Sequence, residues 1–110
     1  MHNMNIPKII KVRGERTPEG CCLWVNDQLV KQEIYHSPTG MEWGYCGSGP
    51  ADAARSILLM LLPKNMANTL YQKFKFDYVS GWPQNKNEFM DEINFRDWVR
   101  RAIKELGYKI

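Results

Sequence analysis

The stretch Glu42-Trp43-Gly44-Tyr45-Cys46-Gly47-Ser48-Gly49-Pro50 runs directly into Ala51-Asp52-Ala53-Ala54-Arg55-Ser56-Ile57-Leu58-Leu59-Met60-Leu61-Leu62-Pro63. The second half reads as a helix. Pro50 has its φ preset for a first helical position, and Gly49 before it serves as the cap. Asp52 then falls on the third helical residue, near unpaired amides and the positive end of the dipole. Pro63 ends the segment. Its residues are apolar on almost every side, the pattern of a buried helix, so the segment predicts the central helix of the fold. The first half delivers a glycine loop with two aromatics and a thiol to the N-terminal end of that helix.

Toward the N-terminus, Ile9-Ile10-Lys11-Val12-Arg13 predicts a strand rich in β-branched residues. Thr17-Pro18-Glu19-Gly20 is a turn, and Cys21-Cys22-Leu23-Trp24-Val25 is the return strand, so residues 8–25 form an antiparallel hairpin. Asn26-Asp27 suits the positive φ of a second tight loop, which leads to a short third strand from Gln28 to Lys31. Between Tyr35 and Gly49 the periodicity is lost. Loops of that length inside a compact domain often carry function.

Toward the C-terminus, Asn65 can cap a second helix whose apolar positions Met66, Leu70, Phe74 and Tyr78 fall four apart, with Phe76 and Val79 off the stripe. Gly81-Trp82-Pro83-Gln84-Asn85 ends that element. A last helix is marked by Asn94 as cap, Asp97 three residues on, and Ile93 with Trp98 at the spacing of a hydrophobic staple. Phe95, Trp98, Val99, Ala102, Ile103 and Leu106 form its apolar stripe, and Gly107 closes it. The expected architecture is one α+β domain over residues 1–110. A small antiparallel sheet, the N-terminal hairpin plus a short third strand, packs on three helices.

With 110 residues, of which 44% are hydrophobic and 25% charged, the chain has the balance of a soluble domain with a single modest core. A net charge of +3 permits an acidic partner without demanding one. No apolar run approaches the roughly 18 residues of a membrane span. The N-terminal residues lack the layout of a secretion signal. Three cysteines, two of them adjacent and therefore on opposite strand faces, point to a reducing compartment, the cytoplasm. Neither CxxC nor HxxxH spacing occurs, so no metal site and no cofactor are expected.

The run His36-Ser37-Pro38-Thr39-Gly40-Met41-Glu42-Trp43-Gly44-Tyr45-Cys46-Gly47-Ser48-Gly49-Pro50-Ala51 resembles the signature of a family of small uncharacterised proteins of bacteria and their phages, a domain of unknown function. The resemblance extends from the first hairpin through the buried helix to Leu70-Tyr71-Gln72-Lys73-Phe74-Lys75. Where the family pattern has a glycine, this chain has Cys46. The resemblance implies an accessory or defence-related role and names no reaction.

The chemistry of the loop points first to a small anionic, nucleotide-like ligand. Successive amides of Gly47, Ser48 and Gly49 at a helix N-terminus can cradle an anion, Ser48 adds a hydroxyl, and Trp43 or Tyr45 can stack on a base. His36 and Glu42 complete that candidate site. The run is not a phosphate-binding P-loop, because no lysine follows the glycines. His36, Glu42 and Cys46 also invite a thiolate reading, yet spacing does not bring them together and no catalytic residue is assigned. A second candidate surface is the basic stripe Arg96, Arg100 and Lys104 on the last helix, with Lys73 and Lys75 nearby and Trp82 beside Pro83. Asp97 with Arg101 and Arg101 with Glu105 have the spacing of ordinary helix ion pairs. The protein reads as a binding protein and not an obvious enzyme. The first reading is an anionic ligand in the 36–50 loop. The alternative is an inhibitor or adaptor that grips a protein, or with less support a nucleic acid, through the last helix.

Overall fold

A computed structural model describes residues 5–32 and 40–107. The hairpin forms as expected. Strand β1 (Ile10–Thr17) pairs antiparallel with β2 (Gly20–Val25), joined by the turn at Pro18-Glu19. Asn26 and Asp27 both have positive φ, 50° and 67°, the signature of a tight hairpin loop, and they lead to β3 (Gln28–Leu29). The sheet also contains a strand that the sequence did not announce. β4 (Glu88–Ile93) pairs antiparallel with the other side of β1, giving the order β3-β2-β1-β4.

Three helices complete the α+β architecture: α1 (Ser48–Leu61), α2 (Lys64–Asp77) and α3 (Phe95–Glu105). α1 is the central helix, with every residue from Gly49 to Leu58 buried. It begins earlier than the proline rule suggests. Gly47 is the N-cap and Pro50 the third helical residue, so Asp52 lies beyond the first turn and is buried. α2 follows at once, with Pro63, not Asn65, as its cap residue. Met66, Leu70 and Phe74 are buried, whereas Tyr78 falls just past the helix end, Val79 is fully buried and Phe76 is exposed. In α3 the cap position is Asn94 without a side-chain cap hydrogen bond, and Leu106 lies outside the core.

The alternation of β1 explains how the layers meet. Ile10, Val12 and Gly14 face the helices together with Leu23 and Val25 of β2 and Ile93 of β4, in one cluster with Ile57, Leu58, Leu70, Phe74, Phe95 and Trp98. Gly14 stands opposite Phe89, and a Cβ built there would come within 2.1 Å of the Phe89 ring edge. The ring therefore lies on the bare backbone, held from the other side by Trp82 (4.5 Å between centroids) and edge-on by Trp43 (5.0 Å). Gly14→Ala is expected to cost about 2 kcal/mol through displacement of Phe89, read as a lower urea midpoint. An unchanged midpoint would mean that the ring can step aside freely.

Trp82 departs from its expected place. It is 5% exposed, and its Nε1 donates to Asp91 Oδ2 at 2.8 Å, so it belongs to the sheet–loop junction and offers no surface to a partner.

Candidate functional site

The residues singled out by sequence fall in two places: the segment that leads into α1, and the outward face of α3. The segment is a strap across the fold. Glu42 N donates to Gly49 O (3.1 Å) and Gly44 N to Val79 O (3.0 Å), which ties its middle to α1 and to the turn after α2. Glu42 meets the Arg16 guanidinium from β1, with Nη2 to Oε1 at 2.8 Å and Nε to Oε1 at 3.1 Å. Oε2 accepts from the Cys21 thiol at 3.2 Å, and Oε1 from the amide of Trp43 at 3.0 Å. Burial by itself would raise the Glu42 carboxyl. The Arg16, Trp43 and Cys21 donors outweigh it and hold the group below the usual carboxylate range. The same arrangement raises Arg16, chiefly through its hydrogen bond to Glu42, and burial with Glu42 beside it pushes the Cys21 thiol up to about 11. Cys21 is thus a protonated donor, not a nucleophile.

Arg16 holds more than one partner. Its Nη1 also donates to the carbonyls of Pro83 and Lys86, Nη2 donates to the Trp43 carbonyl, and the guanidinium sits 4.5 Å from the centre of the Trp43 ring. One cation joins β1, the strap and the segment before β4.

These contacts redistribute the residues singled out by sequence. Glu42 is an internal partner of Arg16, and Trp43 is fully buried. Trp43 thus has no surface to offer a ligand, while the Glu42 side chain keeps 32% of its surface. The glycines serve packing as well: a Cβ at Gly49 would come within 2.8 Å of Glu42 Cβ and 2.9 Å of the Tyr45 hydroxyl, and one at Gly47 within 2.6 Å of the Tyr45 ring. Tyr45, Cys46 and Ser48 remain exposed at the head of α1. There the amides of Ser48 and Gly49 have no carbonyl partner among the described residues, while Ala51 N already donates to Gly47 O. His36 lies outside the described residues. Sequence reasoning missed Arg16 altogether, since its partner is 26 positions away.

On α3, the three predicted cations fare differently. The Arg96 guanidinium is spent on the carbonyl of Ile6, through Nε at 3.0 Å and Nη2 at 2.8 Å. Arg101 Nε donates to the main-chain oxygen of Asp97 at 3.4 Å, not to its carboxylate. Glu105 pairs with Lys73 of α2 (2.8 Å), which also meets Asp77 (3.3 Å), and Lys75 is buried, so neither lysine extends the stripe. Arg100 and Lys104 stay exposed, and no hydrogen bond or ion pair to either side chain occurs among the described residues.

No group of three or more metal-binding side chains occurs among the described residues. The sequence model of a family of unknown function, DUF6166, matches residues 12–101. The chain belongs to that family. The match runs from β1 to α3 and therefore includes Arg16, the strap and most of the outward face of α3. No curated protein and no solved structure matches the chain. No helix formed by the described residues is long and apolar enough to cross a membrane.

Proposed function

We propose that this member of the DUF6166 family is a small accessory binding protein that meets the acidic surface of a macromolecular partner through the outward face of α3. One observation carries the reading. Arg100 and Lys104 stand one turn apart in water with no partner among the described residues, whereas the other arginines are engaged. Arg13 lies over Trp24, Arg16 holds Glu42, Arg55 donates to Asn68, Arg96 to Ile6 and Arg101 to Asp97. An acidic protein face fits this pair, with nucleic acid as a weaker fit for so short a cationic row. The three unbridged cysteines suit the cytoplasm. The resemblance of the 36–51 run suggests a bacterial or phage setting and a defence-related role.

A second reading keeps the small anionic, nucleotide-like ligand, now held at the head of α1 by the amides of Ser48 and Gly49, the Ser48 hydroxyl and the Tyr45 ring. The exposure of Tyr45 and Ser48 favours it. The two readings predict opposite losses. Used as paired baits, the wild-type protein should retain its partner and the double variant Arg100→Glu/Lys104→Glu should lose it. Its thermal melt should be unchanged, because exposed sites rarely alter stability by more than about 0.5 kcal/mol. Equal capture by both baits would overturn the first reading. A melt raised by a nucleotide in the wild type but not in Ser48→Leu would establish the second.

A further inference from the structure

The sheet turns only one face to the helices. Alternation sends Lys11, Arg13 and Glu15 of β1, Cys22 and Trp24 of β2, and Glu88, Met90 and Glu92 of β4 to the opposite face. β4 ends the sheet, and among the described residues no strand lies on its far side. An edge strand of this kind presents a row of main-chain donors and acceptors to anything that can lie alongside it.

The side chains along that edge have a definite chemistry. Glu88 stands directly opposite Glu15, a like-charge pair that costs stability unless a cation relieves it. Met90, 71% exposed, stands opposite Arg13, and Glu92 stands opposite Lys11. Two shallow open depressions flank Met90. One of about 260 Å³ is bounded by Arg13, Gly14, Glu88 and Phe89, and one of about 360 Å³ by Lys11, Asp91 and Glu92. An apolar side chain thus projects between two dents, each with a carboxylate on its β4 side.

We infer that the free edge of β4 receives an extended basic segment of another protein as a fifth strand, with the side-chain pattern basic–x–apolar–x–basic. Residues two apart on a strand share a face at roughly 6.6–6.8 Å spacing, the spacing of Glu88, Met90 and Glu92 themselves. The first basic side chain of the segment would neutralise the Glu15–Glu88 pair, the apolar one would cover Met90, and the second basic one would meet Glu92. A second copy of this chain fits worse. Antiparallel pairing that joined two Met90 side chains would set each Glu88 against a Glu92. Nucleic acid would be repelled by the same carboxylates.

The test is fluorescence polarisation of the full chain with a labelled peptide Thr-Lys-Thr-Val-Thr-Lys-Thr, its scramble Thr-Val-Lys-Lys-Thr-Thr-Thr, and its charge-reversed form with Glu for Lys. The alternating peptide should bind, and the scramble should bind more weakly. Glu88→Lys should raise the Kd by about tenfold. Glu88→Lys/Glu92→Lys should accept the charge-reversed peptide in place of the original. Arg100→Glu should leave the Kd unchanged, which keeps this edge separate from the α3 reading. Glu88 and Glu92 are exposed, so neither change reaches the core; Glu88→Lys gains Glu15 opposite it, and Glu92→Lys meets Lys11 at a small like-charge cost, so circular dichroism of each variant accompanies the titration. Equal affinity for peptide and scramble, no binding up to millimolar peptide, or an unchanged Kd in Glu88→Lys would each overturn the inference. In those cases the carboxylates would serve only to keep the edge from pairing with itself.

Discussion

Arg16→Ala is expected to lower the free energy of unfolding by about 3 kcal/mol, a large part of the 5–15 kcal/mol typical of a domain. The loss would not come from a surface ion pair, which would contribute little. The side chains of Arg16 and Glu42 are 18% and 32% exposed, and removal of the guanidinium leaves three further carbonyls, of Trp43, Pro83 and Lys86, without that donor. It also leaves the Glu42 carboxylate partly buried without its cation, a state costlier than never having had the pair. Arg16→Lys should recover only a minor share, because one ammonium cannot reproduce the planar fork that reaches Glu42 and the carbonyls together. Urea denaturation of the three proteins decides the matter, and an alanine variant within about 1 kcal/mol of wild type would refute the clamp.

The same pair fixes a pH dependence. Glu42 titrates lower in the folded protein than in the unfolded chain, where its ordinary value is 4.5. Its contribution is therefore fully present above about pH 4.5 and is lost as the pH falls through the folded value. Stability curves of wild type and Arg16→Ala should run apart near neutrality and converge in acid.

How much of this was legible depends on how local each cause is. The hairpin was readable because Pro18, Gly20, Asn26 and Asp27 each carry a backbone preference that acts within a few residues. α1 was readable because an all-round apolar segment between two prolines has few alternatives. β4 was not, although its inward residues Phe89, Asp91 and Ile93 do alternate. Asp91 breaks the apolar pattern, and it is tolerated there because Trp82 donates to it. The same bond buries Trp82, which in sequence looked like a turn residue open to partners. The candidate site suffered likewise. Sequence reading met Glu42 and Trp43 as loop residues without Arg16, the partner of both, which lies far away in the chain. Arg96 looked like part of a free stripe while the Ile6 carbonyl was out of view.

Trp43 offers the sharpest separation between a ligand residue and a core residue. It is fully buried, edge-on to Phe89 and covered by Arg16. Trp43→Ala is therefore expected to cost about 4 kcal/mol, the transfer of a large aromatic plus the cavity left behind. Trp43→Phe should behave very differently. The indole Nε1–H is buried and meets no acceptor among the described residues, so it carries the desolvation cost of an unpaired donor, of order 1–3 kcal/mol. Phenylalanine loses volume and removes that donor at once. The two effects oppose each other and should leave a net cost of about 1 kcal/mol or less. A base-stacking ligand residue would show the reverse signature, with ligand affinity falling in both variants and stability nearly unchanged in both. Paired denaturation curves separate the two. Trp43→Ala as stable as wild type would return Trp43 to the ligand side, whereas a steep loss in alanine with near recovery in phenylalanine makes it the buried peg on which the strap before α1 is hung.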